Sequence, residues 1–298
     1  MGEIKNMETP IKLIFEQGPM LKTLGRIAVK TALPSKDKKA KNPDSFPVIS
    51  EIIPCPSAEL VKNYARWAGV TNDRYDASLP PHMFTQFALP ICTQQIEMTR
   101  YNLGGIINQG CGITIYDSIS IGSDLKVDCE VVSINEENGR ARIHQRLAIG
   151  PASGKKALDV DFYTAFIIGK SEKKTRKAED KPEFTSLGSW SANPNDGFEF
   201  GVLTGDLNPI HWISPVAKMS PFKGKVLHGF GMFIRTFELI QRELKSDIQS
   251  MDIRFISPVK LPSKGNEVWV STTTQDDGNY RLEQRNNVGK VQIIGHFQ

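Results

Sequence analysis

The sequence has few cysteines, and their spacing does not suggest that they are paired. Cys55, Cys92, Cys111 and Cys129 include no Cys-x-x-Cys motif, and no secretion signal precedes them. Reduced thiols in a cytoplasmic protein are the simplest interpretation, because disulfides persist mainly in oxidising compartments. No His, Cys and carboxylate set has metal-site spacing, and no nucleotide-binding glycine loop follows a strand pattern. We therefore expect chemistry without a metal ion or a cofactor.

Long apolar runs and a strong net charge are also missing. No apolar stretch approaches the roughly 20 residues that a membrane-spanning helix needs. The formal charge of the 298 residues is only +4. Lysine-rich runs at 36–41 and 170–181 are interpreted as solvated loops, since no aromatic interleaving or binding motif accompanies them. Neither a membrane span nor a nucleic-acid partner is expected.

The residues that could carry chemistry are concentrated between positions 198 and 231. Asp206 and His211 lie five residues apart, with Asn208-Pro209 between them. Asn is a favoured N-cap and Pro a favoured first helical residue, so a short helix should hold both side chains on one rigid corner. A carboxylate beside an imidazole is a candidate general acid and base, because neighbours can tune both pKa values. Gly205 supplies a position without a side chain next to the acid.

A largely buried helix is predicted directly after His228-Gly229. Apolar residues recur at helical spacing from Phe230 to Leu244, which indicates about four turns. Free N–H groups and a positive dipole at the start of this helix, near Gly229, would suit a developing oxyanion. His228 is interpreted as a residue that holds the loop, so that Gly229 acts through its backbone.

Residues 203–211, LTGDLNPIH, with Ala217 six residues later, resemble the hydratase-2 motif of MaoC-like, (R)-specific enoyl-CoA hydratases. In that family, the position of His228-Gly229 opens the central helix of a hot-dog fold. One departure is visible, because many relatives carry Asp-Pro where Ile213-Ser214 stands here. This departure leaves open where the following short helix starts. The resemblance implies catalytic roles for Asp206, His211 and Gly229, and substrate-binding roles for Thr204, Gly205, Asn208, His228 and Phe230.

The chain repeats one arrangement on both sides of a charged segment at 170–183, which is predicted to be a linker. In each half a buried helix precedes several strand patterns, and Asn138-Gly139 and Asp277-Gly278 are matching hairpin turns. A helix wrapped by an antiparallel sheet is an α+β arrangement. Together with the motif, the duplication resembles a double hot dog with one continuous sheet. The halves are 1–169 and 184–298.

The segment before the first repeated helix is predicted to pack on the body of the protein as an N-terminal arm. Residues 11–24 are amphipathic but interrupted by Gly18-Pro19. An arm is favoured over a membrane-surface anchor. Residues 26–33 are interpreted as a possible strand.

The first half lacks the motif. Asp73 and Asp76 precede its helix, but no His follows either by five residues, and His82 is expected roughly where His228 lies in the second half. This pattern resembles long-chain double-hot-dog hydratases, in which the first half has lost the catalytic pair and houses the acyl chain.

The resemblance implies a cytoplasmic lyase of fatty acid metabolism that interconverts a trans-2-enoyl-CoA and a (3R)-3-hydroxyacyl-CoA. The partner would be an acyl-CoA or an acyl-carrier-protein thioester. A dehydratase of carrier-protein-bound substrates and a non-catalytic thioester-binding protein therefore remain alternatives. The double fold would be a monomeric pseudo-dimer or a homodimer.

Overall fold

The computed structural model describes residues 9–32, 41–170 and 182–298. The predicted lysine-rich loop, apart from Lys41, and residues 171–181 of the predicted linker lie outside this part of the chain. Within it, ten strands form one antiparallel sheet, in which the second strand of each half meets its counterpart in the middle. The strands are β1 (Ile49–Ile53), β2 (Ile107–Ile115), β3 (Leu125–Glu137), β4 (Arg140–Pro151), β5 (Leu158–Ile167), β6 (Phe184–Ala192), β7 (Ser250–Phe255), β8 (Ser263–Thr274), β9 (Tyr280–Arg285) and β10 (Val291–Phe297).

The strand order shows the duplication directly. It runs β1-β3-β4-β5-β2-β7-β10-β9-β8-β6, so the second five strands repeat the first five in reverse spatial order. The two sets join where β2 pairs with β7, from Gly110 opposite Arg254 to Thr114 opposite Ser250. The predicted hairpin between β3 and β4 is present, because Asn138 and Gly139 have φ of 51° and 71°. Positive φ at both central residues is the geometry that such a two-residue turn needs. The predicted α+β double hot-dog fold is confirmed.

Two central helices share one buried core with the inward residues of this sheet. Their contact is aromatic: the ring of Phe84 lies 6.2 Å from that of Phe230 and 6.1 Å from that of Phe233. The helix predicted after His228-Gly229 is therefore confirmed as a buried element. The helices are α1 (Gly18–Ala32), α2 (Ala58–Ala68), α3 (Phe84–Ile96), α4 (Asp196–Thr204), α5 (Ser214–Met219) and α6 (Gly229–Leu244).

The N-terminal arm packs on the body, as predicted, but its conformation differs from the prediction. The strand expected at 26–33 is wrong, because α1 runs to Ala32. Gly18-Pro19 does not interrupt the segment. It lies where a 3-10 turn at Ile11–Gln17 continues into α1, and Pro is compatible with a first helical turn, where its missing N–H costs nothing. In the described residues, no helix combines the length and apolar character that crossing a membrane requires.

Candidate active site

The corner that carries Asp206 is built by local backbone chemistry. Helix α4 ends at Thr204, and Gly205 follows with φ of 79°, donating its N–H to the carbonyl of Gly201 at 2.7 Å. This left-handed cap costs glycine little, since it has no Cβ to clash. A Cβ at Gly205 would lie 2.6 Å from the Cβ of Met20, so the N-terminal arm also closes on this turn.

The short helix predicted after Asn208 is present as a 3-10 turn at Pro209–His211. The Asn208 side chain caps it by accepting a hydrogen bond from the N–H of Ile210 at 3.3 Å. The helix whose start the sequence left open, α5, begins at Ser214 with Pro215 in its first turn. The predicted rigid corner is therefore confirmed, and a direct chemical role for Asn208 stays a prediction.

His211 is buried and has a defined tautomer. Its Nδ1 lies 2.8 Å from the carbonyl oxygen of Val226. A carbonyl can only accept, so Nδ1 carries the proton and Nε2 keeps its lone pair. Burial lowers the pKa of His211, although the nearby Asp206 carboxylate and the Val226 carbonyl act in the opposite direction. At neutral pH the ring is therefore uncharged, with one acceptor nitrogen available.

His228 connects the start of α6 to the corner. Its Nε2 donates to the main-chain oxygen of Asp206 at 2.8 Å, and its ring stacks on that of His211 with centroids 3.5 Å apart. Burial, followed by the neighbouring His211, keeps the pKa of His228 well below its ordinary value. The contact is the one expected of a loop-holding residue, while a role in substrate binding stays a prediction.

Thr204 positions the backbone of the acid rather than its carboxylate. The buried Oγ1 of Thr204 donates to the carbonyl of Phe200 at 2.8 Å and lies 3.4 Å from the N–H of Asp206. The Asp206 side chain is 23% exposed, which leaves its carboxylate within reach of a bound molecule. One carboxylate oxygen lies 3.9 Å from Nε2 of His228.

One carboxylate and two imidazoles thus converge in a way that sequence spacing did not reveal. The ligand-type atoms of Asp206, His211 and His228 all lie within 4.8 Å of one another. Each histidine already uses one ring nitrogen on a main-chain carbonyl, so the groups left over are His211 Nε2, His228 Nδ1 and the carboxylate. A set of one carboxylate and two imidazoles at this separation could hold a metal ion, and it could equally hold a water molecule for acid–base chemistry.

Gly229 opens α6, where the first N–H groups of a helix have no acceptor within the helix. It is half-buried between buried neighbours. A Cβ at this position would lie 2.7 Å from the nearest ring atom of Phe255, so the missing side chain lets that ring lie against the helix start. Sequence patterns did not single out Phe255. Phe230 is buried in the aromatic cluster of the core, and its assignment to substrate binding stays a prediction.

The two halves can be aligned residue by residue from their hydrogen bonds. Leu227 donates to the carbonyl of Val259, and Leu79 donates in the same way to that of Ile119, both at 2.8 Å. The adjacent bridges, at Val226 and at Ser78, have the same register. His228 and Gly229 therefore correspond to Pro80 and Pro81.

His82 does not correspond to His228, as the sequence suggested, but lies two residues further along. Pro81, at the position of Gly229, has no N–H to donate. The first half thus lacks the backbone donor as well as the acid–base pair. A cavity of about 340 Å³ lies there instead, lined by residues that include Ser78, Leu79, Pro81, Phe84 and Ile115.

His82 instead belongs to a buried network between the halves. Its Nε2 lies 2.6 Å from Oε1 of Glu238 on α6, which also accepts from the hydroxyl of Tyr75 at 2.7 Å. Burial raises the pKa of Glu238, but the hydrogen bonds outweigh it and the pKa is lowered overall. Asp73 and Asp76 lie exposed on the preceding loop. None of the three reproduces the geometry of the second half.

The second half of the chain was also compared with known protein families. Residues 170–294 match the sequence model of a family described as "MaoC like domain". The second part of the chain is therefore similar in sequence to MaoC-like domains. No match to a curated protein was found.

Solved structures share the fold at low sequence identity. HtdX of Mycobacterium tuberculosis superposes with a TM-score of 0.64 at 18% identity, over 84% of this chain and 99% of that one. A MaoC-like dehydratase from Phytophthora capsici gives 0.67 at 16% identity, over 86% and 96%. RV0216 of M. tuberculosis, described as having a double hotdog fold, gives 0.52 at 13% identity, over 89% and 97%. At these identities the likeness shows the fold.

Because the imidazoles of His211 and His228 are buried, we expect the stability of the protein to depend on pH. Burial lowers the pKa of His211 and His228 below the ordinary 6.5. As the pH falls below that value, the unfolded chain binds protons that the folded chain does not, so the free energy of unfolding decreases. We expect the melting temperature to drop between about pH 7.5 and 5.5, and to drop less in His228→Asn. Equal slopes for the two proteins would exclude this contribution from His228.

Proposed function

We propose that the protein reversibly hydrates trans-2-enoyl thioesters to (3R)-3-hydroxyacyl thioesters. The observation that carries the proposal is the convergence of Asp206 and His211 at the corner whose main chain His228 ties to the start of α6. A neutral imidazole with a free lone pair and a reachable carboxylate can hold one water between them.

The proposed hydration places negative charge on the thioester oxygen, and the site residues would act on that charge and on the attacking water. The Gly229 N–H would bind the thioester oxygen, which draws electrons from the double bond and makes C3 electrophilic. The water oxygen bonds to C3 as Asp206 and His211 take one of its protons, and the pair returns a proton to C2 on the same face. The electrons of the double bond form the new C–H bond, so the step is balanced without an oxidant. A donor to the oxyanion contributes about 10²–10³ and each acid or base about 10²–10⁴ in rate.

The first half has a different proposed task. The corresponding place in the first half has no acid–base pair, and Pro81 stands at the position of Gly229. Both features support the binding of a substrate group without chemistry. We assign the acyl chain to this half, residues 1–169, and the reaction to residues 184–298. The MaoC-like match in the second part of the chain supports this division.

Turnover of crotonyl-CoA tests the proposal. We expect the ultraviolet absorbance of its conjugated enoyl thioester to fall on addition of enzyme. Chiral chromatography should identify the product as (3R)-3-hydroxybutyryl-CoA. Asp206→Asn serves as the inactive control. Binding of crotonyl-CoA without any loss of absorbance would favour a non-catalytic thioester-binding protein. Turnover of crotonyl-carrier protein alone would favour the carrier-protein dehydratase.

A further inference from the structure

A buried ion pair joins the two helices that carry the candidate active site. Arg235 lies on α6, six residues after Gly229, and Asp196 is the first residue of α4. Their side chains are only 10% and 4% exposed, and Nη1 of Arg235 lies 2.5 Å from Oδ2 of Asp196. Burying two charges is costly, so such a pair adds little net stability; where it is retained, it can specify one arrangement of the elements that it joins.

Further contacts hold the guanidinium of Arg235 in one place. Its Nη1 also donates to the carbonyl of Ser191 on β6 at 2.9 Å, and its Nη2 donates to the carbonyl of Trp67 at 3.4 Å. The centroid of the Trp67 ring, on α2 of the first half, lies 4.2 Å from the guanidinium carbon. The guanidinium therefore connects α6 to α4, β6 and α2 at once, which needs the planar fork of donors that arginine has and lysine lacks.

Helix α4 carries the corner with Asp206 and His211 on a face made of glycine. Gly197 and Gly201 are four residues apart, so they lie on the same side of the helix. A Cβ at Gly197 would lie 2.2 Å from the carbonyl oxygen of His211, and a Cβ at Gly201 would lie 3.0 Å from that of Asp206. The main chain of both site residues therefore rests directly on α4, with no side chain in between.

The carbonyl of Asp206 is the point where the two helices meet the corner. It lies against Gly201 of α4, and it accepts the hydrogen bond from Nε2 of His228, next to the start of α6, at 2.8 Å. A change in the spacing of α4 and α6 would strain this hydrogen bond and move the carboxylate relative to the Gly229 N–H. Arg235 lies about 9 Å further along α6, at a rise of about 1.5 Å per residue. It can therefore set this spacing from outside the reacting centre.

The central helix of the first half has no equivalent of this ion pair. Helix α3 (Phe84–Ile96) contains no Arg, Lys, Asp or Glu. The same half lacks the acid–base pair, and Pro81 takes the place of the backbone donor. The buried charge on the central helix thus occurs in the half that has reacting groups to align.

We propose that Arg235 is a positioning residue, which acts through Asp196 to fix the distance between the acid–base corner and Gly229. This inference rests on the proposed function, in which the corner holds the water that attacks C3 and Gly229 binds the thioester oxygen. Both must reach one substrate at the same time, and a misplacement of about 1 Å can cost about 10² in rate.

Kinetics of substitutions at the ion pair test the proposal. Arg235→Met keeps much of the apolar stem and removes every contact of the guanidinium. We expect kcat for crotonyl-CoA to fall about tenfold or more, with KM changed less than about twofold, because correct spacing matters most in the transition state. Arg235→Lys keeps a charge for Asp196 but not the fork, so it should recover part of the lost kcat. Asp196→Asn/Arg235→Met should be little slower than Arg235→Met, since the two side chains act as a unit.

Arg285→Met is the matched control for loss of a stacked and ion-paired arginine. Arg285 is paired with Glu283 at 2.8 Å, and its guanidinium carbon lies 4.7 Å from the centroid of the Trp269 ring, but it lies on β9 rather than on either helix. We expect wild-type kcat for this variant. All rates should be measured at a temperature at which circular dichroism shows each variant to be folded, so that a purely stabilising role of Arg235 leaves kcat unchanged.

NMR of the histidine ring nitrogens examines the same spacing without turnover. The Nε2–H of His228 is buried and donates to the carbonyl of Asp206, so we expect it to be protected from exchange with water in the wild type. Folded Arg235→Met should lose this protection, because the two helices are no longer held at one distance. Arg285→Met should keep it.

The two measurements separate failure of this inference from failure of the proposed function. Wild-type kcat in folded Arg235→Met, or a His228 signal that stays protected in it, would overturn the positioning role. Equal losses in Arg285→Met would overturn it as well. Loss of the His228 protection, in a protein whose wild type turns over no enoyl thioester, would refute the hydratase proposal and leave the positioning role standing. If Arg235→Met does not fold, Arg235→Lys is judged by the same two measurements.

Discussion

Replacing Asp206 by Asn is expected to lower kcat for the hydration of crotonyl-CoA by about 10² or more, and replacing His211 by Ala is expected to do the same. Asn keeps the shape of the carboxylate but cannot accept a proton from water. Removing the imidazole of His211 takes away its Nε2, the ring nitrogen that keeps a free lone pair because Nδ1 donates to Val226. The double variant should be little slower than either single variant, because the two groups act on one water as a unit.

The controls for this prediction come from the same chain. Asp73→Asn makes the same change on the exposed loop of the first half, and we expect turnover close to wild type. Melting temperatures should be recorded with the rates, since His211→Ala also leaves the Val226 carbonyl without its donor. Rates within tenfold of wild type in a folded Asp206→Asn protein would refute the assignment.

Gly229→Ala is expected to lower kcat by roughly 10², the scale of one lost oxyanion donor. The added Cβ would stand 2.7–3.0 Å from three atoms of the Phe255 ring, so either the ring or the helix start must move. Such a shift displaces an N–H that must lie about 3 Å from the oxygen. The loss should appear in kcat more than in KM, because the contact strengthens as charge develops on the oxygen.

A second substitution separates the two roles of this glycine. If Gly229→Ala acts through the collision with Phe255, then Gly229→Ala/Phe255→Leu should regain much of the lost kcat, since alanine keeps the backbone N–H. Gly224→Ala is the matched control, because nothing lies within 4 Å of a Cβ there. A stable Gly229→Ala protein with wild-type kcat would exclude the backbone donor at this position.

Local chemistry allowed the sequence to predict several features without knowledge of the fold. Asn208-Pro209 predicted the turn that carries His211, and Asn138-Gly139 predicted a hairpin. The apolar spacing after Gly229 predicted α6 to within a residue. Each of these depends on caps, turn geometry or periodicity within about ten residues. The same reasoning missed the edge strands β1 and β6, whose residues are largely solvent-accessible and carry little periodic signal.

Only the tertiary structure decided which distant residues complete the site. His228 reaches the carbonyl of Asp206 across 22 residues of sequence, and Phe255 reaches Gly229 from another strand. The alignment of Pro81 with Gly229 came from hydrogen bonds in both halves, and it corrected the place expected for His82.

The sequence by itself determined the corner that carries Asp206 and His211, the buried helix and the duplication, because short-range backbone preferences and hydrophobic periodicity depend on neighbouring residues. The tertiary structure decided the stacking of His211 on His228 and the contact of the Phe255 ring with Gly229. It also aligned His144, Tyr163, Gly110 and Arg254 across β4, β5, β2 and β7. Strand register depends on pairing between segments more than 100 residues apart in sequence, as where Gly110 meets Arg254. Such pairing follows from the packing of the whole core, and no local pattern contains it.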